Sequence, residues 1–159
     1  MGAGTTDEPR WLDADEMRAW RAYVVGSALL ECRLHRDLQQ THDLALADYE
    51  LLVRLSEAPG CRVRMSSLAG LVTSSKSRVS HQVGRMEKAG LVRREECPSD
   101  ARGVYAVLTE DGGRVLRVAA PTHVEGVRAH LIDELSPEER AVLTQVFERV
   151  CDHLRGGTS

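Results

Sequence analysis

No stretch constrains this chain as tightly as residues 75–90, which read SKSRVSHQVGRMEKAG. Val79, Val83 and Met86 recur at helical spacing and give one apolar stripe that must dock on a core. Lys76, Ser77, Ser80, His81 and Arg85 fall mostly on the other faces, and nearly all donate hydrogen bonds. Ser74 and Ser75 supply an N-cap, and Gly90 supplies a stop. After Gly90 the apolar period changes from helical to alternating. Residues 91–95 and 104–108 are strand-like, and residues 96–103 between them hold Pro, Ser, Asp and Gly. That pattern predicts a hairpin, or wing, beside the helix.

Upstream, Arg62-Val63-Arg64 predicts a brief strand, and Ser66 the cap of a short helix that turns Leu68, Ala69 and Leu71 inward. A turn at residues 72–74 then leads into the donor-bearing helix. Helix, tight turn and helix with donors on the second is the helix-turn-helix arrangement. Before it, Leu46, Leu52 and Leu55 form the inner side of a helix that Pro59-Gly60 ends. Ala47 stands where Ser or Thr would cap that helix better.

Both flanks are helical. Residues 1 to about 10 read as a frayed tail. Asp13 with Glu16 three positions on predicts a helix start, and Met17, Trp20, Val24, Ser27, Leu34 and Leu38 keep helical spacing toward Thr41. A helix of that length needs a partner surface beyond its own small core. Thr109 predicts the cap of another long helix bearing Val115, Leu116, Val118 and Ala119, with Val124, Val127 and Leu131 beyond Pro121. Pro121 should kink that helix or start a new segment. Ser136-Pro137-Glu138-Glu139 is the clearest helix start in the chain, and Leu143, Val146, Phe147, Val150 and Leu154 make the stripe that follows. The fold class is mainly α with a small β-hairpin wing (α+β). A winged helix-turn-helix spans residues 45–108, and long helices at 11–44 and 109–155 form a dimerisation arm.

The net charge of −3 argues by itself against a nucleic-acid partner. Its distribution argues the other way: between residues 60 and 103 nine Lys/Arg face four Asp/Glu, a balance of +5, leaving −8 on the remainder. A merely solvated charged face is the alternative reading. The single Phe leaves the core to aliphatic residues. No apolar run approaches a membrane span and no secretion signal opens the chain, so a cytoplasmic protein is expected. Cys32, Cys61, Cys97 and Cys151 are scattered and form no CxxC, so reduced thiols are expected. No phosphate-binding Gly loop, nucleophile elbow or HExxH occurs, which speaks against an enzyme and against a cofactor.

Several residues admit two readings. Cys32 with His35, and Cys151 with His153, are suitable zinc ligands, though helix-interface packing is their ordinary role and no metal is expected. Cys97, expected to be exposed in the wing, is the easier target for oxidation, and Cys32 lies deep within its helix. Trp20, Tyr23, His35 and Arg36 could line an effector pocket, since aromatic walls with a cation suit aromatic acids; dimer packing is the plainer role for Trp20. His123 and His130, seven apart on one helix, read as surface histidines or as a pH sensor.

The run LAGLVTSSKSRVSHQVGRMEKAGLVRREECPSDARGVYAVLTEDG resembles the central block of the MarR family of transcriptional regulators. The helix-to-strand passage SRVSHQVGRMEKAGLVRR, the DAR of the wing and the LTEDG that follows match in order and spacing, and the flanking helices extend the likeness over about residues 11–155. The resemblance implies a homodimer whose terminal helices intertwine and whose two recognition helices enter successive major grooves of a pseudo-palindrome in double-stranded DNA. It implies a repressor that a small, often phenolic, effector releases. Ser75, Lys76, Ser77, Arg78, Ser80, His81 and Arg85 fall at recognition-helix positions. Asp100 and Arg102 match the wing's Asp-x-Arg, where the Asp braces an Arg suited to a narrow minor groove. Ala101 departs from the second basic residue that wings of this family often carry. Two other classes stay open: a winged-helix protein–protein module, and a metal- or redox-responsive sensor.

Overall fold

The computed structural model describes residues 9–72, 75–97 and 100–156, with residues 100–102 described by their backbone alone. Helix α1 (Ala14–His42) begins at the expected capping box. The Asp13 carboxylate accepts the Asp15 and Glu16 N–H groups, each at 2.8 Å, and the Glu16 side chain accepts the Asp13 N–H at 3.0 Å. It ends at Asp43, whose left-handed backbone (φ 50°) closes the last turn. Helix α2 (Leu46–Glu57) has its N-cap at Ala45, two positions before the expected cap at Ala47, and no side-chain cap from its own segment. His35 of α1 substitutes: its Nδ1 accepts the Leu46 N–H at 3.3 Å.

Strand β1 (Arg62–Arg64) leads directly into α3 (Met65–Leu71). Ser66 is therefore inside that helix and Arg64 occupies the cap position. Leu68 and Ala69 are buried as expected, but Leu71 is 49% exposed, because the helix ends there and its last side chain projects past the docking face. Helix α4 (Lys76–Lys88) buries Val79, Val83 and Met86. Ser75 Oγ caps it by accepting the Arg78 N–H at 3.3 Å. The companion cap residue Ser74 lies outside the described residues. After α4, Gly90 takes a positive φ of 76° to reverse the chain.

Strands β2 (Val92–Cys97) and β3 (Asp100–Leu108) form the wing, and with β1 they make an antiparallel sheet in the order β1-β3-β2. The strands run longer than their alternation showed. Glu96 pairs with Val104 and Cys97 with Asp100 across a register irregularity, so part of the expected loop is ladder. Polar turn-forming residues join a strand when pairing is the available way to satisfy their backbone.

Helix α5 (Glu110–His130) is capped by Thr109, whose Oγ1 accepts the Gly112 N–H at 3.0 Å. It runs through Pro121 without starting a new segment. Pro121 and Arg117, whose carbonyl loses its helical donor there, both face solvent. After a 3-10 turn at Ile132–Glu134, α6 (Pro137–Gly156) opens on the expected capping box: Ser136 Oγ accepts the Glu139 N–H at 3.2 Å and Glu139 accepts the Ser136 N–H at 2.8 Å.

The core lies between α2, α3, α4 and the sheet, around Leu51, Leu52, Leu55, Leu68, Val83 and Met86. Helix α1 buries only Leu34 and Leu38, with Leu30 packed half-buried against the same core, and α6 buries no residue. No helix among the described residues is long and apolar enough to cross a membrane.

Candidate nucleic-acid interface

Docking of Val79, Val83 and Met86 turns the opposite side of α4 outward. Lys76, Ser77, Arg78, Ser80 and His81 are all exposed, and Ser75 stands exposed at the cap. The side chains of Lys76, Ser77, Arg78 and His81 make no hydrogen bond or ion pair among the described residues. The helix start adds backbone N–H groups without helical acceptors, and its dipole favours an anion there. The resulting surface is donor-rich, cationic and presented on a rigid rod about the width that a DNA major groove admits.

Arg85 differs from its neighbours. Its Nη2 donates to Asp48 Oδ1 on α2 at 2.5 Å, and Gln82 Nε2 donates to the same oxygen at 3.0 Å and to the Ala47 carbonyl at 2.7 Å. On the other flank Arg94 of β2 donates through Nη2 to the Ser80 carbonyl at 3.1 Å, and its backbone N–H reaches Glu87 Oε1 at 3.1 Å. Asp48, Gln82 and Arg94 had no sequence signal of their own.

At the foot of the wing, Cys97 is buried (4% exposed), contrary to its expected exposure. Its Sγ lies 3.3 Å from Arg64 Nη2 and 3.8 Å from the Tyr105 hydroxyl. The guanidinium groups of Arg62 and Arg64 lie 4.9 and 5.7 Å from the centre of the Tyr105 ring. This packing between β1, β2 and β3 withdraws the thiol from solvent. Cys32, in contrast, is exposed. The side chains of Asp100 and Arg102, expected to form the wing's contact pair, lie outside the described residues; their backbone belongs to β3.

The four candidate effector residues do not share one groove. The rings of Trp20 and Tyr23 lie 6.0 Å apart and tilted by 37°, and that of Tyr23 lies 5.4 Å from Phe147 of α6. His35 and Arg36, about 22 Å further along α1 at the usual helical rise, line a groove of about 680 Å³ with Ala28, Cys32, Gln40 and Ala45. A second groove of about 720 Å³ lies between α1, α2 and α5, lined by Glu31, Tyr49, Glu50, Arg54, Val72 and His123. His123 is not the surface residue expected. Its ring lies 4.5 Å from that of Tyr49, its Nδ1 is buried without a partner among the described residues, and burial holds its pKa below 6.5. His130, 3.7 Å from Asp37, is the exposed member of the pair. Among the described residues no group of three or more His, Cys, Asp or Glu side chains is arranged to hold a metal ion.

The MarR family model matches residues 44–104. The transcriptional regulator HosA of Escherichia coli O111:H- is 30% identical over 108 residues, covering 68% of this chain and 78% of HosA. Among solved structures, AbsC, a MarR family transcriptional regulator from Streptomyces coelicolor, is 50% identical with a TM-score of 0.87, over 93% of this chain and 99% of AbsC. Sco3205, a MarR family transcriptional regulator from the same organism solved in complex with DNA, is 47% identical with a TM-score of 0.88, over 93% of this chain and 92% of that one.

Proposed function

This chain belongs to the MarR family of DNA-binding transcriptional regulators, and from that premise we propose that it acts as a homodimeric repressor on a pseudo-palindromic operator. One observation carries the reading: the outward side of α4 gathers Lys76, Ser77, Arg78 and His81 with no partner of their own among the described residues. In the proposed complex Ser77, Arg78 and His81 address base edges, while Ser75 and Lys76 hold phosphates at the start of the helix. Ser80 borders them. Arg102, braced by Asp100, enters the minor groove beside the wing.

Residues 45–108 serve as the reading head, and residues 11–44 with 109–155 as the dimer arm. The exposed apolar residues of α1, α5 and α6 support that division. The DNA complex of the 47% identical Sco3205 supports DNA as the partner. A small effector that relieves repression has a groove suited to an aromatic acid beside Arg36 and His35, next to the α1–α2 junction.

Selection from random duplexes tests the proposal. It should return inverted half-sites about one helical turn apart, as two-fold symmetry of the protein requires. Recovery of unrelated sequences, or of single half-sites without a symmetric mate, overturns it.

A further inference from the structure

We infer that Asp48 is a positioning residue for DNA recognition: it fixes the roll of α4, and with it which bases that helix addresses. The inference rests on the reading that α4 faces DNA. The apolar stripe of Val79, Val83 and Met86 sets how deeply α4 sits, but apolar contact is non-directional and resists rotation weakly. Rotation is limited by polar contacts at the helix flanks. Asp48 supplies them on the α2 side through Gln82 and Arg85, and Arg94 supplies them on the β2 side through the Ser80 carbonyl and Glu87.

Small rotations matter here. Side-chain tips ride at about 5–6 Å from a helix axis, so a roll of about 10° moves them by about 1 Å. That displacement exceeds the roughly 0.5 Å window of a good hydrogen bond to a base edge. Phosphate contacts made by long, flexible cations absorb the same shift. Asp48 is suited to the task because it is 8% exposed, stands in the first turn of α2 where the dipole favours a carboxylate, and accepts from two α4 side chains at once. Arg85 consequently acts through Asp48, although its own side chain is 64% exposed.

The test measures affinity for the selected operator and for a random duplex over a range of salt. The proteins compared are the parent, Asp48→Asn, Arg85→Gln, the double variant and Lys76→Ala. Asp48→Asn keeps the size of the side chain and an acceptor for Gln82 while removing the charge that holds Arg85. Expected is a loss of about tenfold on the operator, no loss on the random duplex, an unchanged salt slope, and a double variant hardly worse than Asp48→Asn alone. The inference is overturned if Arg85→Gln weakens both duplexes alike, flattens the salt dependence and adds to Asp48→Asn, because Arg85 is then a phosphate ligand. It is equally overturned if Asp48→Asn loses the same factor on both duplexes in step with its melting temperature. Lys76→Ala separates the two levels: no change on either duplex removes α4 from the DNA interface altogether.

Discussion

At the residue scale, His123 gives a pH dependence whose sign can be worked out. Burial lowers its pKa below 6.5, so the folded protein holds the ring neutral more tightly than the unfolded chain does. The stability this lends is present in full above the unfolded value and is lost as pH falls through the depressed folded value. Thermal midpoints should therefore drop on acidification from about pH 7.5 to about pH 5, and His123→Phe, which keeps a ring against Tyr49, should flatten part of that drop. Parallel profiles for parent and variant would mean that folding leaves the pKa of this imidazole unchanged. Arg102 carries the second prediction at this scale. Replacing it with Ala should weaken operator binding by about 1–3 kcal/mol if its guanidinium fills the minor groove, and a titration at fixed salt reads the change. The sequence made the donors of α4 legible because identity and spacing alone place Ser77 and His81 opposite Val79 and Val83, with Lys76 at the helix start beside the Ser75 cap. It did not reveal that Arg85 is held by Asp48, a partner 37 residues away whose position only tertiary packing decides. The burial of Cys97 and His123 was hidden for the same reason, since what covers each comes from a distant element.

At the scale of elements, helix starts were the most legible features, because a cap is a local hydrogen bond between residues two or three apart. Asp13, Ser75, Thr109 and Ser136 all cap the helices they head. The start of α2 escaped because its acceptor, His35, belongs to another helix. Strand ends escaped because ladder pairing overrides turn composition, as Glu96 and Asp100 show. The join between wing and arm supplies a sharper test. Gly112, in the first turn of α5, lies so close to the end of α4 that an added Cβ would stand 2.0 Å from the Leu91 carbonyl oxygen and 2.9 Å from Leu108 Cδ1. Backbone cannot yield there as a flexible side chain can. Gly112→Ala should cost about 3 kcal/mol or more, read as a lower urea midpoint. Gly126→Ala meets only the tip of Leu34 at 2.9 Å, with Asp37 Oδ2 beyond at 3.6 Å, and should cost clearly less. Equal losses at the two positions would mean that the α5 start has room to shift.

For the whole molecule, the distribution of burial sets the requirement. Helix α6 opens on a well-formed cap yet buries none of its residues, and α1 buries two of its 29. Trp20 (54% exposed), Leu29 (67%), Val142 (59%) and Leu154 (68%) leave apolar surface on these helices that nothing among the described residues covers. Helices in water draw most of their stability from packing an apolar face, so these two require a second surface. In the proposed homodimer a second copy would supply one with matched ends, because a two-fold axis would bring each patch onto its own image. Sedimentation at micromolar concentration should then give about twice the 17.6 kDa chain mass. Val142→Asp with Leu154→Asp should shift the protein toward monomer and lower its helical signal. The same pair should reduce operator affinity far more than affinity for a single half-site, since only the dimer holds two reading heads at the spacing of one DNA turn. A double variant that remains dimeric, or a parent that sediments as a stably helical monomer, would mean that the arm is covered by something other than a copy of itself.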